Sequence, residues 1–287
     1  MLHVNNRGNR IADTIIHVSL LVVAMFMLFP FIYVLLGSFT SFQDFAGGGV
    51  IVIPKEPSLE AYRYVLSSPS LMQSIGVSMF LASVGTLIKL AMTATMAYAL
   101  ASKHLVFRRF FLLMVLIPML FWPGIIPRFL VVRETGLLNT LWALIFPSAI
   151  DAFYLLVMRN FFMDLPIELF ESAELDGAND LTIFTRIVLP LSKPILAAIG
   201  LFYAVLQWNL YFAAILYIRT PELWPVQVLL RQILILGEGN NIEADVVAPA
   251  FSMQMATVMV ATVPIIILYP FLQRYFVKGV LTGAIKG

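Results

Sequence analysis

The chain has 287 residues, 61% of them apolar and 12% charged, with a formal net charge of +2 and a mean hydropathy of +0.93. Soluble domains carry about a quarter charged residues, so a soluble globular fold is excluded and a polytopic membrane protein is implied. No cysteine occurs, which removes disulfides and thiolate metal ligands, and the dispersed basic residues give no nucleic-acid footprint.

In chain order, continuous apolar runs predict six helical spans, at about 14–39, 73–101, 110–132, 141–162, 195–218 and 256–276. Each run is close to the roughly 20 residues that a bilayer-crossing helix needs. None alternates apolar and polar residues as barrel strands do, so the expected class is all-α, one transmembrane domain over 1–287. The first run follows Arg7 and Arg10 and is expected to stay in place as a signal anchor. Pro118, Pro123 and Pro127 predict a kink or break in the third.

Counting Lys and Arg by side sets the orientation. With the N-terminus inside, Arg7, Arg10, Lys103, Arg108, Arg109, Arg159, Arg186, Lys193, Arg274, Lys278 and Lys286 fall in the cytoplasm. Lys55, Arg63, Arg128, Arg133, Arg219 and Arg231 fall outside, and Lys89 stays in the membrane. Eleven against six places both termini in the cytoplasm of a cell whose inner membrane the chain crosses. The tightest inner turn, Lys103 to Arg109, holds three of the eleven.

Two long connections lie outside. The first passes Gly47-Gly48-Gly49 and predicts a short helix over Leu59–Leu66; the second, Pro221–Pro249, has Leu229, Leu230, Ile233 and Leu234 at helical spacing. The inner connection, 163–194, is the most informative. Asp164 can cap a helix with Pro166 in its first turn, Gly177 can stop it, and Asn179 or Asp180 can cap a second helix ending before Pro190. Glu171 and Glu174 share a face beside small Ala173, Gly177 and Ala178, a relief suited to docking in a groove. On the residues alone, a solvated hairpin covering two span ends is the favoured reading.

Glu171-Ser172-Ala173, then Asp176-Gly177-Ala178 and later Leu189-Pro190, resembles the EAA loop of binding-protein-dependent ABC importer permeases, with Ser172 in place of the usual Ala. Gly124-Ile-Ile-Pro127, Trp208-Asn209 and the tail Gln273–Gly279 through Gly283–Gly287 resemble the carbohydrate branch, of the maltose second-permease type. Leu138–Trp142, Trp224–Gln227 and Leu230-Arg231 look most like subunits importing oligo- or polysaccharides, alginate or other uronates among them. The resemblance implies the type I importer permease fold and a coupling loop at Glu171, Ser172, Ala173, Asp176, Gly177, Leu189 and Pro190. It further implies a second permease subunit, an ATPase dimer carrying ATP and Mg, an extracytoplasmic solute-binding protein and a saccharide cargo. No Gly-x4-Gly-Lys-Ser/Thr occurs, so ATP is not expected on this chain; neither catalytic residues nor a metal site are expected.

Ionisable groups in the hydrocarbon are costly and count as functional candidates. Lys89 and Asp151 lie roughly 16–20 Å from the inner boundary at about 1.5 Å per residue, and are expected to pair. Tyr203, Gln207 and Tyr211 are spaced for one helix face, and so are Ser148, Asp151 and Tyr154. Aromatic faces and amides suit sugar rings and hydroxyls, so Tyr154, Gln207, Trp208, Asn209 and Tyr211 are the candidate substrate path. Packing between helices would also explain them. Two alternatives remain at this point: the same architecture with a non-sugar cargo, and an ion-coupled transporter, which the EAA-like loop disfavours.

Overall fold

A computed structural model describes residues 6–41, 54, 57–236 and 251–284, with side chains described over 12–41, 54, 57–234 and 251–267. Among them every regular element is helical, and the extended contact is a lone bridge between Thr40 and Pro57. The elements are α1 (Asn6–Ser38), α2 (Glu60–Ser67), α3 (Pro69–Ala101), α4 (Arg108–Leu120), α5 (Ile125–Glu134) and α6 (Ala152–Met163). They continue with α7 (Ile167–Leu175), α8 (Asp180–Leu191), α9 (Lys193–Trp208), α10 (Phe212–Tyr217), α11 (Val226–Arg231) and α12 (Phe251–Ala284). The Gly47–Gly49 run and the stretch 237–250 lie outside the described residues.

The chain packs as two compact units. The first takes residues up to 69 together with 230–262. In it α1 presents apolar side chains outward from Ala12 to Ile32, Phe26 at 82% exposure being the extreme, a surface that water does not tolerate but lipid does. Only its last turns are covered. Gly37 lets Phe251 approach so closely that a Cβ at position 37 would lie 2.8 Å from the ring edge, and Tyr33 meets the same ring edge-on. Ser38 and Tyr62 join their hydroxyls at 2.6 Å, tying the end of α1 to the predicted short helix, found as α2.

The second unit takes 70–229 and the rest of α12. α3 is continuous from Pro69 to Ala101 but carries a π turn at Leu81–Gly85. The third run breaks where its prolines predict: α4 ends at Leu120, Gly124 takes φ +82°, and α5 begins at Ile125. The fourth run is not one helix. Residues 141–148 form two 3-10 turns, and α6 starts only at Ala152, bent 53° from them. The fifth also breaks, α9 stopping at Trp208 and α10 starting at Phe212. Among the described residues two helices are long and apolar enough to cross a membrane, and four if each bent pair counts as one span. At one end, Ala94, Ala97, Met158, Phe162, Ile183, Phe184 and Ile199 bury one another; at the other, Leu81, Val132, Leu144, Ile145, Ala214 and Tyr217 do so.

A polar clasp at Asn139 has no counterpart in the sequence expectations. Asn139, at φ +59°, accepts the N–H groups of Arg219 and Thr220 on its side-chain oxygen, each at 3.0 Å, and donates to the Thr220 hydroxyl at 2.8 Å. Its own N–H donates to the Tyr217 carbonyl at 2.8 Å. Asn is the side chain that best tolerates this backbone region, because its amide can satisfy neighbouring peptide groups.

Candidate functional site

The hairpin within 163–194 is built from α7, an elbow and α8. Asp164 does not cap α7; it closes α6, its N–H donating to the carbonyls of Asn160 and Phe161. The reason is Pro166, which disfavours a helical Leu165 before it and itself takes the flanking position, so that α7 starts at Ile167. At the other end Gly177 has φ +78°. Its N–H donates to the Glu174 carbonyl at 3.0 Å and that of Ala178 to Ala173 at 2.9 Å, the paired bonds of a Schellman stop. Asn179 then caps α8 by accepting the Thr182 N–H at 2.8 Å. Ala173 is buried against Phe184, Val188 and Ile199, which fixes the pitch of α7 on the helical core.

Consequently Glu168, Glu171, Ser172, Glu174, Asp176 and Gly177 all face outward. With them stand Leu175, 90% exposed, and Leu181. The hairpin thus presents an acidic ridge carrying two projecting leucines. Leu189 packs partly into the core and Pro190 is exposed; two residues on the chain turns by 81° into α9, so the hairpin lies across the end of that span and not along it.

Deeper, a second group of polar side chains converges. Gly85, Lys89 and Thr93 are four apart on α3 and all buried. The Lys89 ammonium donates to the Ser148 hydroxyl and to Gln207 Oε1, each at 2.9 Å, and lies 5.9 Å from the centre of the Tyr203 ring. An ammonium can only donate, which sets the amide orientation: Oε1 toward Lys89, Nε2 toward Gly85. A Cβ on residue 85 would stand 2.6 Å from that Nε2, so glycine makes room for the amide. Nε2 itself is buried without a hydrogen-bond partner. The Tyr203 hydroxyl pairs with Thr93 at 2.8 Å and accepts the Asp151 N–H at 3.1 Å.

Lys89 and Asp151 therefore do not form the expected ion pair. The carboxylate of Asp151 is occupied as the cap of α6, accepting N–H groups of Phe153 at 2.9 Å and Tyr154 at 3.1 Å. Because the fourth run is broken there, the helix face predicted for Ser148, Asp151 and Tyr154 does not exist: Ser148 turns to Lys89, Asp151 caps, and Tyr154 stacks on Phe202 at 5.6 Å. The stop at Trp208 likewise takes Tyr211 out of line with Tyr203 and Gln207. Of the five path candidates, Gln207 and Trp208 are buried at 1% and 4% exposure, Tyr154 and Tyr211 are half-buried, and Asn209 is exposed. Gly85 and Thr93, one turn to either side of Lys89, are the members of this group that the sequence reading missed. Their four-residue spacing was the available signal.

Two interrupted spans bring their breaks, a buried lysine and exposed amide and carboxylate groups into one helical body that also carries the acidic hairpin, an arrangement that fits a membrane translocation subunit. The model of the binding-protein-dependent transport system inner membrane component family matches residues 91–282. The chain belongs to that family, the permease subunits of ABC importers, and is not an enzyme. It is 44% identical to the polygalacturonan/rhamnogalacturonan transport system permease protein YtcP of Bacillus subtilis over 97% of this chain and 99% of that one. It is also 44% identical to protein LplC of the same organism, over 99% of this chain and 97% of that one. Among solved structures it resembles that of a bacterial ABC transporter involved in the import of the acidic polysaccharide alginate. The TM-score is 0.89 and the identity 32%, over 96% of this chain and all of that one. The expected permease fold is thereby met.

Proposed function

We propose that this chain is one half of the pore through which an ATP-driven importer moves an oligo- or polysaccharide bearing carboxylates. It would act as a single permease domain crossing the inner membrane six times, with both termini in the cytoplasm. A second permease subunit completes the pore, and a solute-binding protein delivers the cargo outside. An ATPase dimer, holding ATP and Mg, docks on Glu171, Ser172, Asp176, Gly177 and the exposed Pro190, with Ala173 and Leu189 setting the hairpin on the helical core. The supporting observation is the elbow itself, where a positive-φ glycine orients an exposed acidic ridge with projecting leucines.

The acidic cargo is supported by the names of the relatives, whose polygalacturonan and alginate are polyuronates, and by Lys89, a buried charge whose hydrogen bonds go to the neutral acceptors Ser148 and Gln207. Such a charge is costly and is retained where function needs it. Asn209 and Tyr211, at the break of the fifth span, and Tyr154 offer weak, replaceable contacts along which a polymer can slide; Gln207 and Trp208 support them from behind. The test is ATP hydrolysis by the reconstituted complex across matched neutral and uronate oligosaccharides. Stimulation by uronate oligomers is expected, and equal stimulation by neutral oligomers refutes the acidic assignment while leaving the permease assignment intact.

A further inference from the structure

We propose that the turn between α3 and α4 binds the phosphate of an anionic phospholipid in the cytoplasmic leaflet, with Arg108 and Arg159 as its clamp. Both guanidinium groups converge on one acceptor: Arg108 Nε donates to the Leu100 carbonyl at 3.1 Å and Arg159 Nε donates to the same oxygen at 3.0 Å. Arg108 Nη2 reaches Met163 Sδ at 3.5 Å, and Arg159 Nη1 donates to Asn160 Oδ1 at 3.1 Å. These bonds hold two like charges side by side and leave Arg108 Nη1 and Arg159 Nη2 to a further acceptor. No carboxylate answers them: among the described residues the ion pair found is Arg133 with Glu134, at the other end of the spans. The α3 C-terminus contributes part of a negative charge, which offsets the repulsion only in part. An oxyanion bridging the two forks would remove it.

The surroundings say which oxyanion. Phe107 takes φ +58°, a strained conformation for a bulky side chain, yet its ring is 75% exposed, so packing within the chain does not offset the strain. Val106 and Phe110 are also exposed, at 69% and 57%. Lys103, His104 and Arg109 stand exposed beside them. Apolar and aromatic side chains interleaved with cations at the end of a span form the pattern of a segment lying in the headgroup layer. Anionic headgroups on the cytoplasmic side attract such basic clusters. A lipid satisfies both halves of the pattern at once, its phosphate between the arginines and its chains against Phe107 and Phe110. A free phosphate satisfies only the first half.

The full-length chain, purified in mild detergent, would be titrated with phosphatidylglycerol, phosphatidylcholine or inorganic phosphate, and bound lipid counted by native mass spectrometry. One phosphatidylglycerol per chain should be retained at least about tenfold more strongly than phosphatidylcholine. Arg108→Gln with Arg159→Gln should abolish that preference, whereas Arg133→Gln should leave it unchanged. Should the double variant fail to fold, Lys103→Gln with Arg109→Gln serves instead, because these exposed side chains hold nothing in place; a fall of about threefold is expected. Phe107→Gly, which relieves the strain and removes the ring, should weaken retention without loss of stability. Equal retention of the two lipids, or full retention by the variants, overturns the proposal. Displacement of phosphatidylglycerol by millimolar phosphate would reassign the clamp to a soluble anion and overturn the lipid reading.

Discussion

Gly177 offers the sharpest test of the docking hairpin, because the cost of replacing it has one source. A Cβ added there meets nothing within 4 Å, so no clash contributes. What remains is the backbone at φ +78°, which costs an L-residue about 1–2 kcal/mol, least for Asn and most for β-branched side chains. The alternative open to a variant is to abandon the stop and lose the two bonds from Gly177 and Ala178. At about 0.5–1.5 kcal/mol each, that loss is of the same size as the strain on a valine. Gly177→Val is therefore expected to leave the elbow and let α7 and α8 drift apart, abolishing uptake while basal ATP hydrolysis persists. Gly177→Ala should keep the elbow at reduced stability and lower uptake several-fold; Gly177→Asn should come close to the parent chain. The assay is sugar uptake and ATP hydrolysis measured together in proteoliposomes. Asn as damaging as Val would mean that a partner surface, and not the backbone angle, demands glycine. Normal uptake by the Val variant would remove the hairpin from coupling altogether.

Lys89→Met and Gln207→Leu should couple by about 0.5–3 kcal/mol in a double-mutant cycle on thermal stability, with the double variant milder than the sum; additivity would mean that the 2.9 Å contact is not formed. Asp151→Asn should be nearly neutral in the same assay, since an amide oxygen caps α6 as a carboxylate does; a loss above about 2 kcal/mol would restore the ion pair that the geometry denies. Trp208→Ala should cost about 3–5 kcal/mol of stability, as expected for a ring at 4% exposure, and a variant of full stability with only a slower rate would place the ring in the path instead. In this cysteine-free chain, Asn209→Cys should react with a water-soluble thiol reagent in a substrate-dependent way and Gln207→Cys should not, and the reverse pattern would exchange their roles.

Much of this architecture was written in composition and punctuation. Uninterrupted apolar runs mark helices wherever they end, and the Pro118–Pro127 cluster and Gly177 act locally, through a missing N–H and a missing Cβ, so their effects could be read in place. The breaks near Ala149–Asp151 and Asn209–Leu210 were not legible, because nothing within those stretches forbids helix; long-range partners decide. Tyr203 holds the Asp151 peptide from another span, and Asp151 caps only because the turn has already been made. The Lys89–Asp151 pairing failed for the same reason. Depth along a helix can be counted from the sequence, but which face a residue occupies after an irregular turn cannot.

That irregular turn in α3 has its own arithmetic. A π turn holds one residue more than the α turn it replaces, and each residue of an α-helix advances the side-chain direction by about 100°. Everything after Gly85 is thus dialled by one position relative to a plain helix through Leu81. Removing any single residue from 81–85 would leave hydropathy and charge almost untouched. It would also turn the π turn back into an α turn and leave Lys89, Thr93 and Ala97 facing the protein interior, because the residue removed is the one the π turn added. A second deletion would have no such slack to draw on: it would swing all three by about 100° toward hydrocarbon, although a hydropathy plot would hardly change.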